Sequence, residues 1–181
     1  APTITSTAVT SATEDAAYSY TTTASDVDSG DVVTLACTTV PSWLTCTAGA
    51  LSGTPADANV GSHSVVITAS DVAGAAATDS FTITVANTND APAISSTAVT
   101  AASEDAAYSY AITTSDDDSD SSDSWTITST SVSWLTLTHT AGASTATLAG
   151  TPADGDVGDH SVTITVADAA GASGTQAFTI A

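Results

Sequence analysis

The chain has 181 residues, no Lys or Arg and 20 acidic residues, which give it a formal net charge of −20 at pH 7. Nucleic acids, anionic lipid headgroups and phosphorylated substrates are recognised by cationic side chains, so this composition argues against all three as partners. A membrane-spanning helix needs about 18 consecutive apolar residues, and the sequence has no such run, so we expect no membrane insertion.

The sequence contains one segment twice. The heptapeptide EDAAYSY occupies residues 14–20 and recurs at residues 104–110, and other short motifs recur in the same order. A repeat of about ninety residues is longer than a solenoid unit and long enough to bury its own core. We therefore predict two domains, residues 1–90 and 91–181, with a linker at 86–92.

Apolar and polar residues alternate with a period of two in both copies, which is typical of strands that have one face on a core and one in water. The alternating apolar positions include, in chain order, Val65, Ile67, Ala69, Phe81, Ile83, Val85, Trp125, Ile127, Val162, Ile164 and Val166. Turn sequences at 28–31, 48–50 and 73–75 separate these runs. The pattern predicts an all-β chain in which each copy forms a sandwich of about seven short strands.

Large aromatic residues recur at matching positions of the two copies. Trp43 and Trp134, each followed by Leu, are interpreted as core anchors rather than sugar-stacking residues. For Tyr18 and Tyr20 we expect one side chain in the core and the other on the surface.

Two cysteines, Cys37 and Cys46, are present in the first copy and are replaced together by Ser129 and Leu137 in the second. Their joint loss favours a disulfide over two free thiols, and a disulfide indicates an oxidising compartment. The alternative is that both are small buried apolar residues.

The acidic residues are concentrated in short runs that look like loops. Asp26, Asp28 and Asp31 form one run, and a second lies within residues 116–123. Hard carboxylate oxygens in a loop suit calcium, although Asp-x-Asp-Ser-Gly is also a favourable turn sequence without any ion. Five acidic residues are interpreted as solvated surface charges: Asp31, Asp79, Asp117, Asp120 and Asp123.

Several motifs occur in an order that resembles a known family. Residues 24–31 read ASDVDSGD, 41–44 read PSWL, 51–55 read LSGTP and 89–92 read NDAP. This succession resembles the dystroglycan-type cadherin-like domains, which are grouped with immunoglobulin-like repeats of bacterial extracellular proteins. The resemblance implies two tandem immunoglobulin/cadherin-like sandwiches in a secreted or cell-surface protein.

The resemblance also implies calcium at the junction between successive domains. The ligands at the junction within this chain would be Glu14, Asn89, Asp90, Asp116, Asp118 and Asp168, with Asp57 as a weaker candidate. Their counterparts Asp26, Asp28 and Asp71 would face a preceding domain, and Glu104 with Asp154 a following one. Calcium requires six to eight oxygen ligands, more than one flexible linker supplies, so both domains must contribute.

The predicted function is that of a structural or adhesive extracellular module, part of a longer stalk, adhesin or fibre, with calcium-rigidified junctions and neighbouring repeats as its partners. Its Thr- and Ser-rich faces are candidates for O-glycosylation. The alternative is an accessory module of a larger secreted enzyme that binds a glycan or a cell-surface receptor. We predict no catalytic activity in the chain itself, because Ser, His and Asp occur without nucleophile-elbow or zinc-type spacing.

Overall fold

The computed structural model describes residues 1–28, 32–118 and 126–181, which form two compact units, 1–88 and 89–181. Asp31, Asp120, Asp123 and Trp125 lie outside the described residues. The described part of the chain is built from strands and contains two short 3-10 turns, Asp57–Asn59 and Asp154–Asp156. It includes no helix that is long and apolar enough to cross a membrane.

The described residues of unit 1 form nine strands: β1 (Thr3–Ile4), β2 (Ser11–Thr13), β3 (Tyr18–Thr21), β4 (Ala24–Ser25), β5 (Thr34–Thr39), β6 (Leu44–Thr47), β7 (Ala50–Gly53), β8 (Gly61–Ser70) and β9 (Ala76–Ala86). One sheet has the order β2-β9-β8-β5, a second has the order β3-β7-β6, and β1 pairs with β4. Strand β2 runs parallel to β9, and the other pairs are antiparallel.

The described residues of unit 2 form seven strands: β10 (Ala93–Ile94), β11 (Tyr108–Ser115), β12 (Thr126–Ser129), β13 (Leu135–His139), β14 (Thr145–Gly150), β15 (His160–Ala167) and β16 (Ser173–Ile180). The sheets have the orders β10-β11-β14-β13 and β12-β15-β16. The long strand β11 corresponds to β3 and β4 of unit 1. The ladder between β3 and β7 ends at Thr21 and Ala50, whereas the ladder between β11 and β14 extends to Thr113 and Thr145.

Each unit has its own core between its two sheets. In unit 1 the alternation places Val65, Ile67 and Ala69 of β8 at 0 % exposure. Removing such a side chain from water stabilises the fold by roughly 1.5–3 kcal/mol for each Val or Ile. The prediction of an all-β chain with two sandwich repeats is therefore confirmed.

The tyrosine prediction is wrong. Tyr18 and Tyr20 are both buried, at 5 % and 6 % exposure, as are Tyr108 and Tyr110 in unit 2. Residues i and i+2 of a strand face the same side, so both rings point into the core. The hydroxyl of Tyr18 donates to the Val9 carbonyl at 2.7 Å, which satisfies its polar end.

The tryptophans pack at the margin of each core. Trp43 makes an edge-to-face contact with Tyr18 at 5.8 Å between ring centroids, and Trp134 makes the same contact with Tyr108 at 5.6 Å. Both indoles are half-buried. Next to them, glycines in β7 and β14 are required sterically: a Cβ on Gly150 would lie 1.8 Å from the Trp134 carbonyl oxygen.

Candidate functional site

Three aspartates converge at one end of unit 1. Asp26 follows β4, Asp28 lies two residues on, and Asp71 follows β8. Their carboxylate oxygens lie 3.4, 3.6 and 3.8 Å from a single atom, the backbone nitrogen of Ala1. Carboxylates from two loops thus lie close to one point at this end of the unit.

The turns of the chain hold these carboxylates in place. Asp26 Oδ1 accepts a hydrogen bond from the Asp28 amide at 3.0 Å, and Asp71 Oδ1 accepts one from the Ala75 amide at 2.9 Å. The bond from the Asp28 amide is the main cause that lowers the pKa of Asp26. The Asp26 side chain is 1 % exposed, and its Oδ2 is buried without a hydrogen-bond partner. A buried carboxylate oxygen with no donor is suited to bind a cation.

The same three positions converge in unit 2, where Asp116 follows β11 and Asp168 follows β15. Asp116 Oδ1 accepts from the Asp118 amide at 3.3 Å, and its Oδ2 is buried without a partner. Burial raises the pKa of Asp116, and the charges of Asp118 and Asp168 raise it further. The charges of Asp118 and Asp168 therefore act on Asp116 from nearby.

The linker residues Asn89 and Asp90 contact this cluster. Asn89 Nδ2 donates to Asp168 Oδ2 at 2.8 Å, and the Asp90 amide donates to Asp118 Oδ2 at 2.7 Å. The bond from Asn89 is the main cause that lowers the pKa of Asp168. The structure therefore brings together five of the predicted ligands within unit 2.

Glu14 lies at the opposite end of unit 1 from its aspartates. Its amide donates to the Ala86 carbonyl at the end of β9, whereas Asp71 follows the far end of the adjacent strand β8. Strand β8 has ten residues and spans roughly 33 Å. Each end of this unit thus carries acidic groups, as a module that joins a neighbour at both ends would need.

Glu14 is buried at its end of unit 1. Glu14 is 2 % exposed, its Oε1 accepts a hydrogen bond from the Thr88 amide, and its Oε2 is buried without a partner. Glu104 is exposed and lines a small cavity together with Trp134. The weaker candidate Asp57 is half-buried, and its Oδ1 also lacks a partner.

Two features of the site escaped the sequence analysis. The carboxylate of Asp168 is held by the amides of Gly171 and Ala172, at 2.6 and 2.9 Å from Oδ1. The signal was the spacing Asp-x-x-Gly, which both copies share and which is typical of an Asp-initiated turn. In addition, Asp79 is half-buried rather than fully solvated, whereas Asp117 is exposed as predicted.

Cys37 and Cys46 form a disulfide with a Cα–Cα distance of 6.3 Å. Cys37 lies in β5 and Cys46 in β6, which belong to the two different sheets of unit 1. The bond therefore connects the sheets at their margin, and such bonds persist in oxidising compartments.

Comparison with known proteins identifies related sequences and folds. The family model described as Putative Ig domain matches residues 1–86 and 91–181. No curated protein matches the chain. The family found is thus the immunoglobulin-like one, and the narrower dystroglycan-type assignment stays a prediction.

Among solved structures, the Protocadherin Gamma B2 extracellular cadherin domains 3-6 are 19 % identical, with a TM-score of 0.65 over 99 % of this chain and 46 % of that chain. PcdhgB3 EC1-4 is 20 % identical, with a TM-score of 0.66 over 99 % of this chain and 48 % of that one. The Endo-fucoidan hydrolase MfFcnA4 from glycoside hydrolase family 107 is 29 % identical over 99 % of this chain and 28 % of its own, with a TM-score of 0.43. The chain spans less than half the length of each of these structures, and the two cadherin matches show a shared fold.

Proposed function

Because the chain belongs to the Putative Ig domain family, whose model matches both of its halves, we propose that it is an extracellular structural or adhesive module in which calcium stiffens the connection between successive repeats. The disulfide of unit 1 supports an extracellular location. The chain would act as part of a longer stalk, adhesin or fibre, with neighbouring repeats as its direct partners.

One observation carries this proposal: in each unit, aspartates that follow two different strands lie near one another, Asp26, Asp28 and Asp71 in unit 1 and Asp116, Asp118 and Asp168 in unit 2. The equivalent residues of unit 2 couple electrostatically, and the linker residues Asn89 and Asp90 contact them. Both clusters consist of hard oxygen donors, and each contains one buried oxygen without a donor. Calcium prefers this ligand chemistry, whereas zinc would favour His or Cys.

The proposed ligand set draws on both repeats. Asp116, Asp118 and Asp168 would bind the ion together with the linker residues, and the preceding repeat would contribute its carboxylates from Glu14 and Asp57. Calcium needs six to eight oxygens at roughly 2.3–2.6 Å. Three aspartates that each supply one oxygen do not reach this number. Asp26, Asp28 and Asp71 would bind in the same way to a repeat before unit 1, and Glu104 to one after unit 2.

The charge of the chain gives calcium its mechanical effect. A protein without Lys or Arg has no internal counter-cation for clustered carboxylates, so these groups repel one another. A divalent ion converts that repulsion into attraction. With the dissociation constant of an extracellular module, ~10⁻⁴–10⁻³ M, each site adds roughly 1–2 kcal/mol when calcium exceeds this constant several-fold.

The test is calorimetric titration of the metal-free chain with calcium. We compare Asp118→Asn, which removes one proposed ligand charge, with Asp117→Asn, which removes an exposed neighbouring charge. We expect at least a tenfold loss of affinity for the first variant and little change for the second. Absence of binding heat in the unmodified chain, or equal effects of the two substitutions, would contradict the proposal.

A second measurement tests stiffening as distinct from binding. NMR relaxation reports whether the two repeats tumble together or separately. We expect correlated tumbling in calcium and independent tumbling after chelation, with the fold of each repeat unchanged. Independent tumbling in both conditions would leave calcium binding without the proposed mechanical role.

The alternative of a glycan-binding accessory module has less support. Sugar-binding faces present aromatic rings to solvent, and every aromatic side chain in the described part of the chain is buried or half-buried. We therefore favour the structural reading over the alternative.

A further inference from the structure

The acidic residues of this chain are kept out of its strands. Among the described strands, only β9 contains one, Asp79, and the other described acidic residues lie in loops and turns. Asp79 is half-buried and shares the side of Phe81, which packs on the core, whereas Thr78 and Ser80 are exposed. The outward faces of the described strands therefore carry no charge, although the net charge of the chain is −20.

The largest of these uncharged faces is the outer side of the sheet β2-β9-β8-β5 in unit 1. On its two long strands, every outward position is Ser, Thr, Ala or Val, and these positions alternate with core residues such as Val65 and Ile67. Ser64 lies directly opposite Thr82, and Ser62 opposite Thr84. We call this surface the hydroxyl face, after its exposed hydroxyl residues Ser62, Ser64, Thr78, Ser80, Thr82 and Thr84.

The hydroxyl face is large enough to form an interface. Its four strands contain 3, 11, 10 and 6 residues. At about 3.3 Å per residue and about 4.8 Å between strands, they cover roughly 500 Å². Two such faces would bury roughly 1,000 Å² in total, the lower end of specific protein interfaces. The opposite sheet of unit 1 and the described strands β12, β15 and β16 of unit 2 cover less, roughly 200 and 300 Å².

The chemistry of the hydroxyl face suits a second copy of itself. A hydroxyl group both donates and accepts hydrogen bonds, so Ser and Thr side chains pair with the same residues on another copy. Short and β-branched side chains lose less rotamer freedom on burial than Lys or Glu does. Two twisted sheets of this kind pack face to face with their strands about 30° apart. The face is therefore complementary to itself in both shape and hydrogen bonding.

We infer that the hydroxyl face of unit 1 is a lateral interface that stacks against the same face of a second copy of this chain. Contact through the loops at either end of the unit would bring carboxylates together without any Lys or Arg to pair with them. The hydroxyl face avoids that cost. The contact requires no metal ion, and it goes beyond the proposed calcium-dependent junctions because it joins stalks or fibres side by side.

The net charge of the chain sets how this association depends on salt. Two copies repel each other at long range, whereas the interface itself contains no charged group whose attraction salt would weaken. Raising the salt concentration from about 0.01 M to about 1 M shortens the screening length from roughly 30 Å to 3 Å. Association should therefore strengthen with salt, which is opposite to the behaviour of a contact held by ion pairs.

The test is sedimentation velocity of the metal-free chain, with a chelator present, over a range of protein concentrations. We expect a reversible dimer that is roughly tenfold tighter, or more, at about 1 M salt than at about 0.01 M. Changes in backbone NMR shifts on dilution should fall on β5, β8 and β9. A chain that is monomeric in both salts, a dimer that weakens with salt, or shifts confined to the loops, the opposite sheet or unit 2 would overturn the inference. Because calcium is absent, failure here would leave the proposed calcium sites untouched.

A matched pair of variants tests the position of the interface. Thr82→Asp adds a charge at an exposed position of the hydroxyl face, and Thr45→Asp adds the same charge at an exposed position of β6 in the opposite sheet. At about 1 M salt we expect the first to weaken the dimer roughly tenfold or more, because each copy would bury an unpaired carboxylate. The second should change the dimer little. Equal losses would contradict the inference, and shift mapping on the unmodified chain decides the matter if either variant does not fold.

Discussion

Removal of the Cys37–Cys46 disulfide should destabilise unit 1 and leave unit 2 unchanged. The perturbation is the double substitution Cys37→Ser and Cys46→Leu, because Ser129 and Leu137 occupy the equivalent positions of unit 2. These side chains are therefore compatible with the fold, and the lost cross-link is the main change. Reduction of the unmodified chain provides a second route to the same state with no change of sequence.

The size of the effect follows from the loop that the bond closes. The two cysteines are nine positions apart in sequence. Fixing the ends of such a loop in the unfolded chain costs it conformational entropy worth about 2.6 kcal/mol at 25 °C. For a domain of fewer than a hundred residues, this corresponds to a fall in melting temperature of roughly 10–20 °C.

The assay is differential scanning calorimetry of the oxidised, reduced and doubly substituted chains, with NMR at rising temperature to assign each transition to a unit. We expect the melting temperature of unit 1 to fall by the same amount in the reduced and substituted chains. The unit 2 transition is the internal control. A shift in both transitions, or in neither, would refute the argument that the bond stabilises one sandwich through its unfolded state.

Three further predictions concern single residues. Trp134→Ala should lower the free energy of unfolding of unit 2 by about 3 kcal/mol, as measured by chemical denaturation, because it removes a half-buried ring that packs on Tyr108. A decrease below about 1 kcal/mol would contradict this. Ala48→Asn should stabilise unit 1 by about 1 kcal/mol, because Ala48 and Gly49 both have positive φ in the turn between β6 and β7, and Asn tolerates that conformation; a lower melting temperature would count against it. Burial, with a smaller effect of the Tyr20 charge, raises the pKa of Tyr18 to about 12, so its contribution to stability is complete below pH ~10 and is lost as the pH rises toward 12. Ultraviolet titration should show this late ionisation, and Tyr18→Phe should reduce its amplitude but leave the part that comes from Tyr108, whose pKa is also raised by burial.

The sequence predicted the fold class well because strand patterning is a local property. Alternating residues such as Val65 and Ile67 face one side of a strand whatever the rest of the chain does, and the structure buries both. The same rule, applied consistently, would have placed Tyr18 and Tyr20 together in the core. That error came from the application of the rule and not from missing information.

The candidate ligands were found because the chain repeats itself. Asp26, Asp28 and Asp71 recur in register as Asp116, Asp118 and Asp168, and a recurring position in a loop indicates a shared role. The structure brings each trio together within its own unit. Their use as calcium ligands stays a proposal.

The sequence by itself determined the sandwich repeats and the positions of the acidic loops, because alternation and turn chemistry act over a few neighbouring residues. Only the tertiary structure decided how residues far apart in sequence affect one another. It showed that the loops carrying Asp26 and Asp71 meet at one end of unit 1, and that Cys37 and Cys46 join its two sheets. Such contacts depend on how distant strands come together after folding, and no local pattern specifies that.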